Sequence, residues 1–182
     1  DAIAMGCSGP TMRGSGVNFD MRKAQPYSCY EEFDFDVPTG EHGDVYDRFL
    51  VRVREMYESV RIINQALKRL PKGPFISNNR KYVPPPRAEL GTSMEAVIHH
   101  FKLWTEGFKL PEGEVYAAVE SPRGELGCYL SSDGGTHPHR VHFRTPSFIL
   151  ISALSKLAKG YMLADLVAII GSTDIVLGDC DR

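Results

Sequence analysis

The sequence predicts an α+β fold, mainly helical, with a small antiparallel ribbon toward its carboxy-terminal end. Two runs of apolar residues at helical spacing, Asp44 to Leu70 and Met94 to Trp104, predict long helices. Three short apolar segments separated by turn residues, between Val115 and Arg144, predict a ribbon. Helical and strand segments are segregated rather than alternating, which favours α+β over a parallel-sheet architecture.

Residues 1–43 form a wrapping segment. Gly6, Gly9-Pro10, Gly14, Gly16, Pro26, Pro38 and Gly40 make it turn-rich, while Phe19, Tyr27, Tyr30, Phe33 and Phe35 supply rings to pin it. Residues 44–110 carry the long helices. In the first, Val45, Phe49, Val53, Met56, Val60, Ile63, Leu67 and Leu70 recur at helical steps, with Arg48, Arg52, Glu55, Glu58 and Arg61 between them. Asp44 suits the N-cap, Pro71-Lys72-Gly73-Pro74 ends the helix, and its length is about 40 Å at 1.5 Å per residue. Pro84-Pro85-Pro86 forces an extended stretch, because each ring fixes φ and disfavours helix in the residue before it. Thr92 to Glu95 matches a capping box opening a second helix through Val97, Phe101 and Trp104, which Gly107 closes.

Residues 111–145 read as a three-stranded meander: Val115 to Ser121, Leu126 to Ser131 and His139 to Arg144, separated by Pro122-Arg123-Gly124 and Asp133-Gly134-Gly135. Residues 146–182 complete the chain. Thr145-Pro146 predicts an N-cap and a first-turn proline for a helix through Leu157. A more uniformly apolar helix, Met162 to Ile170, is expected to be buried on most sides, followed by a strand-like Asp174 to Leu177 and a charged tail.

Composition excludes several classes. With 42% hydrophobic and 24% charged residues among 182, the chain has ordinary globular composition. The 21 basic and 23 acidic residues leave a net charge of -2, so no nucleic-acid partner is expected. No apolar run approaches the ~20 residues of a membrane-spanning helix, and no secretory pattern is visible at the amino end. Cys7, Cys29, Cys128 and Cys180 are widely separated without a C-x-x-C, which favours a reducing compartment.

Residue chemistry alone is sparse. His137, His139 and His142 do not share a strand face, and Pro138 disturbs the one same-face pair, so the bland reading of surface imidazoles outweighs a metal site. His99 and His100 point about 100° apart on their helix. Met12-Arg13-Gly14-Ser15-Gly16 lacks the preceding strand and following helix of a phosphate loop, so structural turning is the default. Glu120-Ser121-Pro122-Arg123-Gly124-Glu125 sets three charges around a turn between apolar strands, and its default reading is a solvated hairpin tip. Fraying is the default for Gly178-Asp179-Cys180-Asp181-Arg182.

Ordered blocks along the chain change those defaults. Gly9-Pro10, Arg13-Gly14-Ser15-Gly16, Asp20-Met21-Arg22-Lys23, Phe33-Asp34-Phe35-Asp36-Val37-Pro38 and Gly43-Asp44-Val45-Tyr46-Asp47-Arg48 come first. Thr92-Ser93-Met94-Glu95, the run Ile98 to Gly107, Glu120 to Gly127, Pro146-Ser147-Phe148, Met162-Leu163-Ala164-Asp165 and Asp174-Ile175-Val176 follow. In this order they resemble the carboxy-terminal part of the quinone-site subunit of respiratory complex I, the proton-pumping NADH:ubiquinone oxidoreductase, which is related to the nickel-iron hydrogenase large subunit.

The resemblance implies a hydrogenase-large-subunit-like body. It also implies a ubiquinone headgroup pocket as the site, beside a 4Fe-4S cluster held by a neighbouring subunit, with no cofactor bound by this chain. In the hydrogenase relatives the E-x-P-R-G turn borders the nickel pocket and the chain end supplies two cysteine ligands; a lone Cys180 cannot build that site. The principal headgroup donors, a histidine and a tyrosine, belong to an amino-terminal part outside this sequence, so the chain alone is expected to be inactive. Phe148, Val176, Leu177 and Gly178 are the candidate quinone contacts, Leu177 standing where the family usually has phenylalanine. Arg13, Glu120 and Arg123 are candidates for charge near the cluster or the reduced headgroup, and Asp179, Asp181 and Arg182 for paired charges behind the pocket. Tyr161 stands where a histidine is common. The implied partners are other complex I subunits, above all the cluster-bearing one and the amino-terminal part of the same subunit, with the membrane arm reached indirectly. The implied location is the matrix side of the mitochondrial inner membrane, or the cytoplasmic face of a bacterial plasma membrane. Competing readings are an assembly scaffold without substrate contact and a membrane-bound hydrogenase subunit.

Overall fold

A computed structural model describes residues 1–181; Arg182 lies outside the described residues. The chain divides into two compact units, the first made of Asp1–Leu70, Tyr116–Cys128 and Phe143–Arg182, the second of Pro71–Val115 and Tyr129–His142. Helices and a single three-stranded sheet make a mixed α+β fold, as the segregated pattern predicts. Strands β1 (Gly113–Ser121), β2 (Gly124–Ser132) and β3 (Arg140–Arg144) pair in the order β1-β2-β3, and each unit holds part of the sheet.

In the first unit the wrapping segment is more helical than its glycines suggest, with α1 (Gly9–Gly14), α2 (Met21–Ala24) and a 3-10 turn at Tyr30–Glu32. Pro10 starts α1 without loss, because the first-turn N–H has no helical partner. The rings do pin the segment: Tyr30 packs edge-on against Tyr27, Phe33 and Phe35, with centroids 5.0, 6.2 and 6.3 Å away. Helix α3 (Val45–Arg69) is capped as expected, Asp44 accepting from the Asp47 N–H at 2.7 Å. It contacts α1 and α6.

Three further helices end the first unit: α5 (Pro146–Leu157), α6 (Leu163–Thr173) and α7 (Leu177–Asp181). The core is small, built on Cys7, Leu150 and Ala153 with Ala2, Met5, Ile149 and Ile175 against them. Two expectations fail here. Helix α6 is not buried on most sides, since Leu163 is 83% and Val167 75% exposed and only Ile169, Ser172 and Thr173 are buried. Its apolar residues outnumber the contacts this chain offers. The strand-like Asp174 to Leu177 is instead a left-handed helix stop at Asp174 and two irregular residues leading into α7, because Ile175 packs onto the core and the Val176 N–H bonds Ser147 Oγ rather than a neighbouring strand.

In the second unit, Pro84-Pro85-Pro86 is extended as expected and runs into a 3-10 turn at Arg87–Gly91. Helix α4 (Met94–Thr105) starts one residue later than the capping-box reading: Ser93, not Thr92, accepts from the Ala96 N–H at 3.3 Å, while the Thr92 hydroxyl turns back to the Glu89 carbonyl. Both residues are competent caps, and the preceding 3-10 turn takes Thr92. Gly107 stops the helix with φ +75, donating to the Lys102 carbonyl.

Candidate functional site

The site grows from one residue, Arg13, at the end of α1. Its side chain is only 2% exposed, yet it carries a full charge, so its neighbours must be acceptors. They are. Arg13 Nε donates to Glu55 Oε1 at 2.7 Å, and Nη1 donates to Glu120 Oε1 at 2.8 Å and to the Phe19 carbonyl at 3.1 Å. Gly14 allows this approach of α1 to α3: a Cβ there would lie 3.1 Å from Arg48 Cγ.

Glu120 comes from β1, at the E-x-P-R-G turn. Its Oε2 accepts from the Met21 N–H at 3.2 Å, and its own N–H donates to the Tyr27 hydroxyl at 3.0 Å. The turn is therefore no solvated tip. It is pressed onto the amino end of the chain, where the Glu125 N–H donates to Ser8 Oγ at 3.0 Å. Glycine is required at the contact: a Cβ on Gly9 would meet Gly124 Cα at 2.5 Å, and Gly9 and Gly124 both hold positive φ.

Asp20 and Arg22 flank the cluster. Burial works to raise the Asp20 carboxyl, but hydrogen bonds and charge from Arg22 outweigh it and hold Asp20 below its ordinary range. Asp20 Oδ2 lies 2.6 Å from Arg22 Nη2 and 3.7 Å from Arg13 Nη1. On Glu55 the balance is reversed: burial pushes its carboxyl up and Arg13 only partly offsets it. Arg52 closes the group, its Nη1 donating to the carbonyls of Ser172 at 2.6 Å and Arg48 at 3.1 Å. Burial, the largest influence, makes its proton easier to lose than usual.

Arg13, Arg22, Arg52, Glu55 and Glu120 line a cavity of about 570 Å³ whose apolar wall is Phe49, Val53, Met56 and Pro122, with Asp20 behind Arg22. A larger groove of about 810 Å³ between α3 and α6 is mostly apolar, lined by Val45, Phe49, Leu157, Tyr161 and Ile169 among others. Its one cation, Arg48, is spent on Ser172 Oγ at 2.9 Å and the Gly43 carbonyl at 2.6 Å. Convergent charged groups are found in the smaller cavity, which makes it the candidate site despite its size.

Of the residues singled out from sequence, Arg13 and Glu120 meet directly. Arg123 joins them at the edge, its Nε donating to the Asp174 carbonyl at 2.8 Å and so holding the turn to the end of α6. Phe148, Val176, Leu177, Gly178 and Asp179 form a separate patch where α5 meets α7. There the Val176 N–H donates to Ser147 Oγ at 3.4 Å, and Asp179 Oδ2 accepts from the Ser147 N–H at 3.2 Å. Thr145 occupies the N-cap of α5 without a side-chain bond, and the Asp179 carboxylate supplies the negative charge that the helix end favours. Leu177 is 76% exposed; Asp181 is exposed, and Arg182 is outside the described residues. Among the described residues, no group of three or more His, Cys, Asp or Glu is placed to hold a metal, and no helix is long and apolar enough to cross a membrane.

Arg52 and Glu55 read from sequence only as charges between the apolar positions of α3, with no site role. A signal for them exists: Arg48, Arg52, Glu55 and Ser59 repeat at helical spacing, a polar stripe with the same period as the apolar one.

A mixed α+β chain with a buried arginine–carboxylate cavity and large uncovered apolar faces is the class of molecule these features define. A family model described as "Respiratory-chain NADH dehydrogenase, 49 Kd subunit" matches residues 1–182, and the chain belongs to that family. It is 58% identical over 185 residues to an NADH-quinone oxidoreductase subunit of the D type from Herpetosiphon aurantiacus, covering 100% of this chain and 44% of that protein. It is 56% identical to a D-type subunit of the same oxidoreductase from Chloroflexus aurantiacus, covering 100% of this chain and 45% of that protein. Against the corresponding D-type subunit from Sphingopyxis alaskensis it is 55% identical, covering 100% of this chain and again 45% of the relative. The chain thus spans under half the length of the curated relatives it matches.

Proposed function

We propose that this chain is part of the quinone-site subunit of a proton-pumping NADH:quinone oxidoreductase, where it forms one wall of the headgroup pocket and the charges behind it. The observation that carries the reading is the bonding of the E-x-P-R-G turn. Glu120 is fixed to buried Arg13, and Arg123 is fixed to Asp174, three residues before the apolar Leu177. A charged cluster is thereby anchored to the chain end that the family resemblance assigns to quinone contact. In a pocket of this kind Phe148, Val176 and Leu177 face the ring, while Gly178 adds no bulk. Arg13 and Arg123 favour negative charge developing on the reduced headgroup, because a desolvated cation acts in low dielectric. Quinone reduction takes up two electrons and two protons; the electrons come from the 4Fe-4S cluster of a neighbouring subunit, and the family's hydrogenase-like body surrounds the pocket.

The same reading assigns partners. The exposed stripe Phe49, Met56, Val60, Ile63 and Leu67 on α3 is too apolar to face water as a working surface, and is covered by other subunits and by the amino-terminal part of the same subunit. The assembly sits at a membrane through those partners. The organisms of the matched relatives favour the cytoplasmic face of a bacterial plasma membrane over a mitochondrial location.

Leu177→Trp in the assembled enzyme tests the wall. The expected result is a quinone KM raised about tenfold, or an equal change in sensitivity to quinone-site inhibitors, with normal assembly. Lost complex yield with unchanged kinetics in the remaining enzyme favours the scaffold reading, which the uncovered stripe on α3 independently motivates.

A further inference from the structure

The Arg13 cavity contains one guanidinium and one carboxylate with bonding capacity to spare, and they lie one helical turn apart. Arg52 Nε and Nη2, the edge of the guanidinium that grips a carboxylate side-on, are sealed from water and have no acceptor. Glu55 is three residues further along α3, on the same face. Its Oε1 is given to Arg13, and its Oε2 accepts no hydrogen bond among the described residues.

The other acids of the cavity are committed. Glu120 uses one oxygen on Arg13 and the other on the Met21 N–H, Asp20 uses both on Arg22, and Asp174 is drawn to Arg123. A buried donor pair left empty costs several times an ordinary hydrogen bond, so the cavity favours an arrangement that fills it. Asp174 also acts on Arg52 but is shared with Arg123, whereas Glu55 sits one turn along the same helix face with an oxygen that accepts no hydrogen bond among the described residues.

We propose that Glu55 is the proton-holding group of this cavity: ionised, its carboxylate bridges Arg13 and Arg52; protonated, it releases Arg52 and leaves the cavity one positive charge richer. The step is a simple proton gain, in which one carboxylate oxygen takes a proton and no electron moves. Charged groups around the cavity that holds Glu55 are Arg13 from α1, Arg22 from α2, Arg52 on α3 itself, Glu120 from β1 and Asp174 at the end of α6. Burial makes the carboxyl readier to hold a proton, the arginines make it less so, and Glu120 adds repulsion that protonation relieves. The net effect is that this carboxyl holds a proton more readily than a free glutamate does, as a proton-holding group requires. The inference rests on the quinone-site reading for its purpose: a site that takes up two protons per quinone needs a proton reserve, and Glu55 is a positioning residue that holds one.

Infrared difference spectroscopy of the assembled enzyme between about pH 5 and 9 reads the carboxyl bands directly. Glu55→Gln keeps an acceptor for Arg13 but cannot titrate, and is expected to remove one protonated-carboxyl band and to flatten the acid limb of the kcat profile. Arg52→Met is expected to raise the midpoint of that band by about one pH unit, since losing a neighbouring cation favours the neutral acid. Arg52→Lys, which keeps the charge, should move it by less. If Glu55→Gln retains every carboxyl band, the inference is overturned. Should that variant fail to assemble, an unmoved midpoint in Arg52→Met overturns it equally. A band lost in Glu55→Gln with an unchanged pH profile of quinone reduction upholds the proton site and counts against the quinone-site reading instead.

Discussion

The two faces of α3 have exchanged their usual roles. The face turned into the chain's own body carries Asp47, Arg48, Arg52 and Glu55 around a single buried Val51, while Val60, Ile63 and Leu67 point outward and Phe49 and Met56, more than half exposed, stand at the rim of the cavity they wall. Amphipathic patterning ordinarily puts the apolar stripe inside. Here the polar face is inside because nearly all of its bonding groups find partners, the side edge of Arg52 excepted: Asp47 accepts the His42 and Glu41 N–H groups at 2.6 and 3.0 Å, and Arg48 and Arg52 hold carbonyls and Ser172. A hydrophobic period therefore identifies an apolar face without saying whether the chain's own body takes it up. Helix α4 in the second unit repeats it, with Met94, Phe101 and Trp104 all exposed.

Breaking the inner face has the largest expected effect. Arg13→Met leaves Glu55 and Glu120 as buried acids without their cation, and is expected to cost about 3–5 kcal/mol in denaturant unfolding of the chain; a loss under about 1 kcal/mol would mean the cluster is not a structural unit. Gly124→Ala forces a Cβ against Ser8 at φ +135 and is expected to cost about 1–3 kcal/mol, loosening the turn from the amino end.

Acid should act on the inner face next. Asp20 and Asp47 both have lowered values, the first against its burial through Arg22, the second through backbone N–H donors from His42 and Glu41. A carboxyl depressed on folding stabilises above its unfolded value of about 3.9, and that contribution fades as pH falls through the folded value. Glu55 has the opposite sign: its raised value favours the fold below the unfolded value of about 4.3 and loses that contribution as pH climbs through the folded value. Thermal unfolding should therefore be less acid-sensitive between about pH 2 and 5 in Asp47→Asn, while Glu55→Gln should lose less stability than the parent as pH rises above about 4.3. The smallest effect is expected on the outer face, where Ile63→Asp should change stability of the chain by no more than about 0.5 kcal/mol while reducing its incorporation into the assembled enzyme. A large loss in the isolated chain would show that this stripe packs within the chain after all.

Much of the fold is legible in the sequence. The cap and both ends of α3, the start of α5 at Thr145-Pro146 and the three strands follow from local chemistry: side-chain acceptors at N-caps, proline geometry, and turn residues at Pro122-Arg123-Gly124. What is not legible depends on neighbours. Ser93 rather than Thr92 caps α4 because a 3-10 turn ends there, and α6 is exposed because only its Ile169, Ser172 and Thr173 end is packed within the chain. Of the site, Arg13, Glu120 and Arg123 are reached through resemblance. Arg52 and Glu55 escape a sequence reading because a charge between apolar helix positions is solvated by default.

By itself, the sequence determined the order of the long helices and the three strands, the ends of α3, the family, and the presence of polar and apolar stripes on α3, since these depend on residue type and spacing within a few positions. Only the tertiary structure decided which stripe turns inward, and that Arg13 sits between Glu55 and Glu120, 42 and 107 residues away along the chain. The physical reason is that a buried charge is tolerable only beside its partners, and partners that far apart in sequence are chosen by packing.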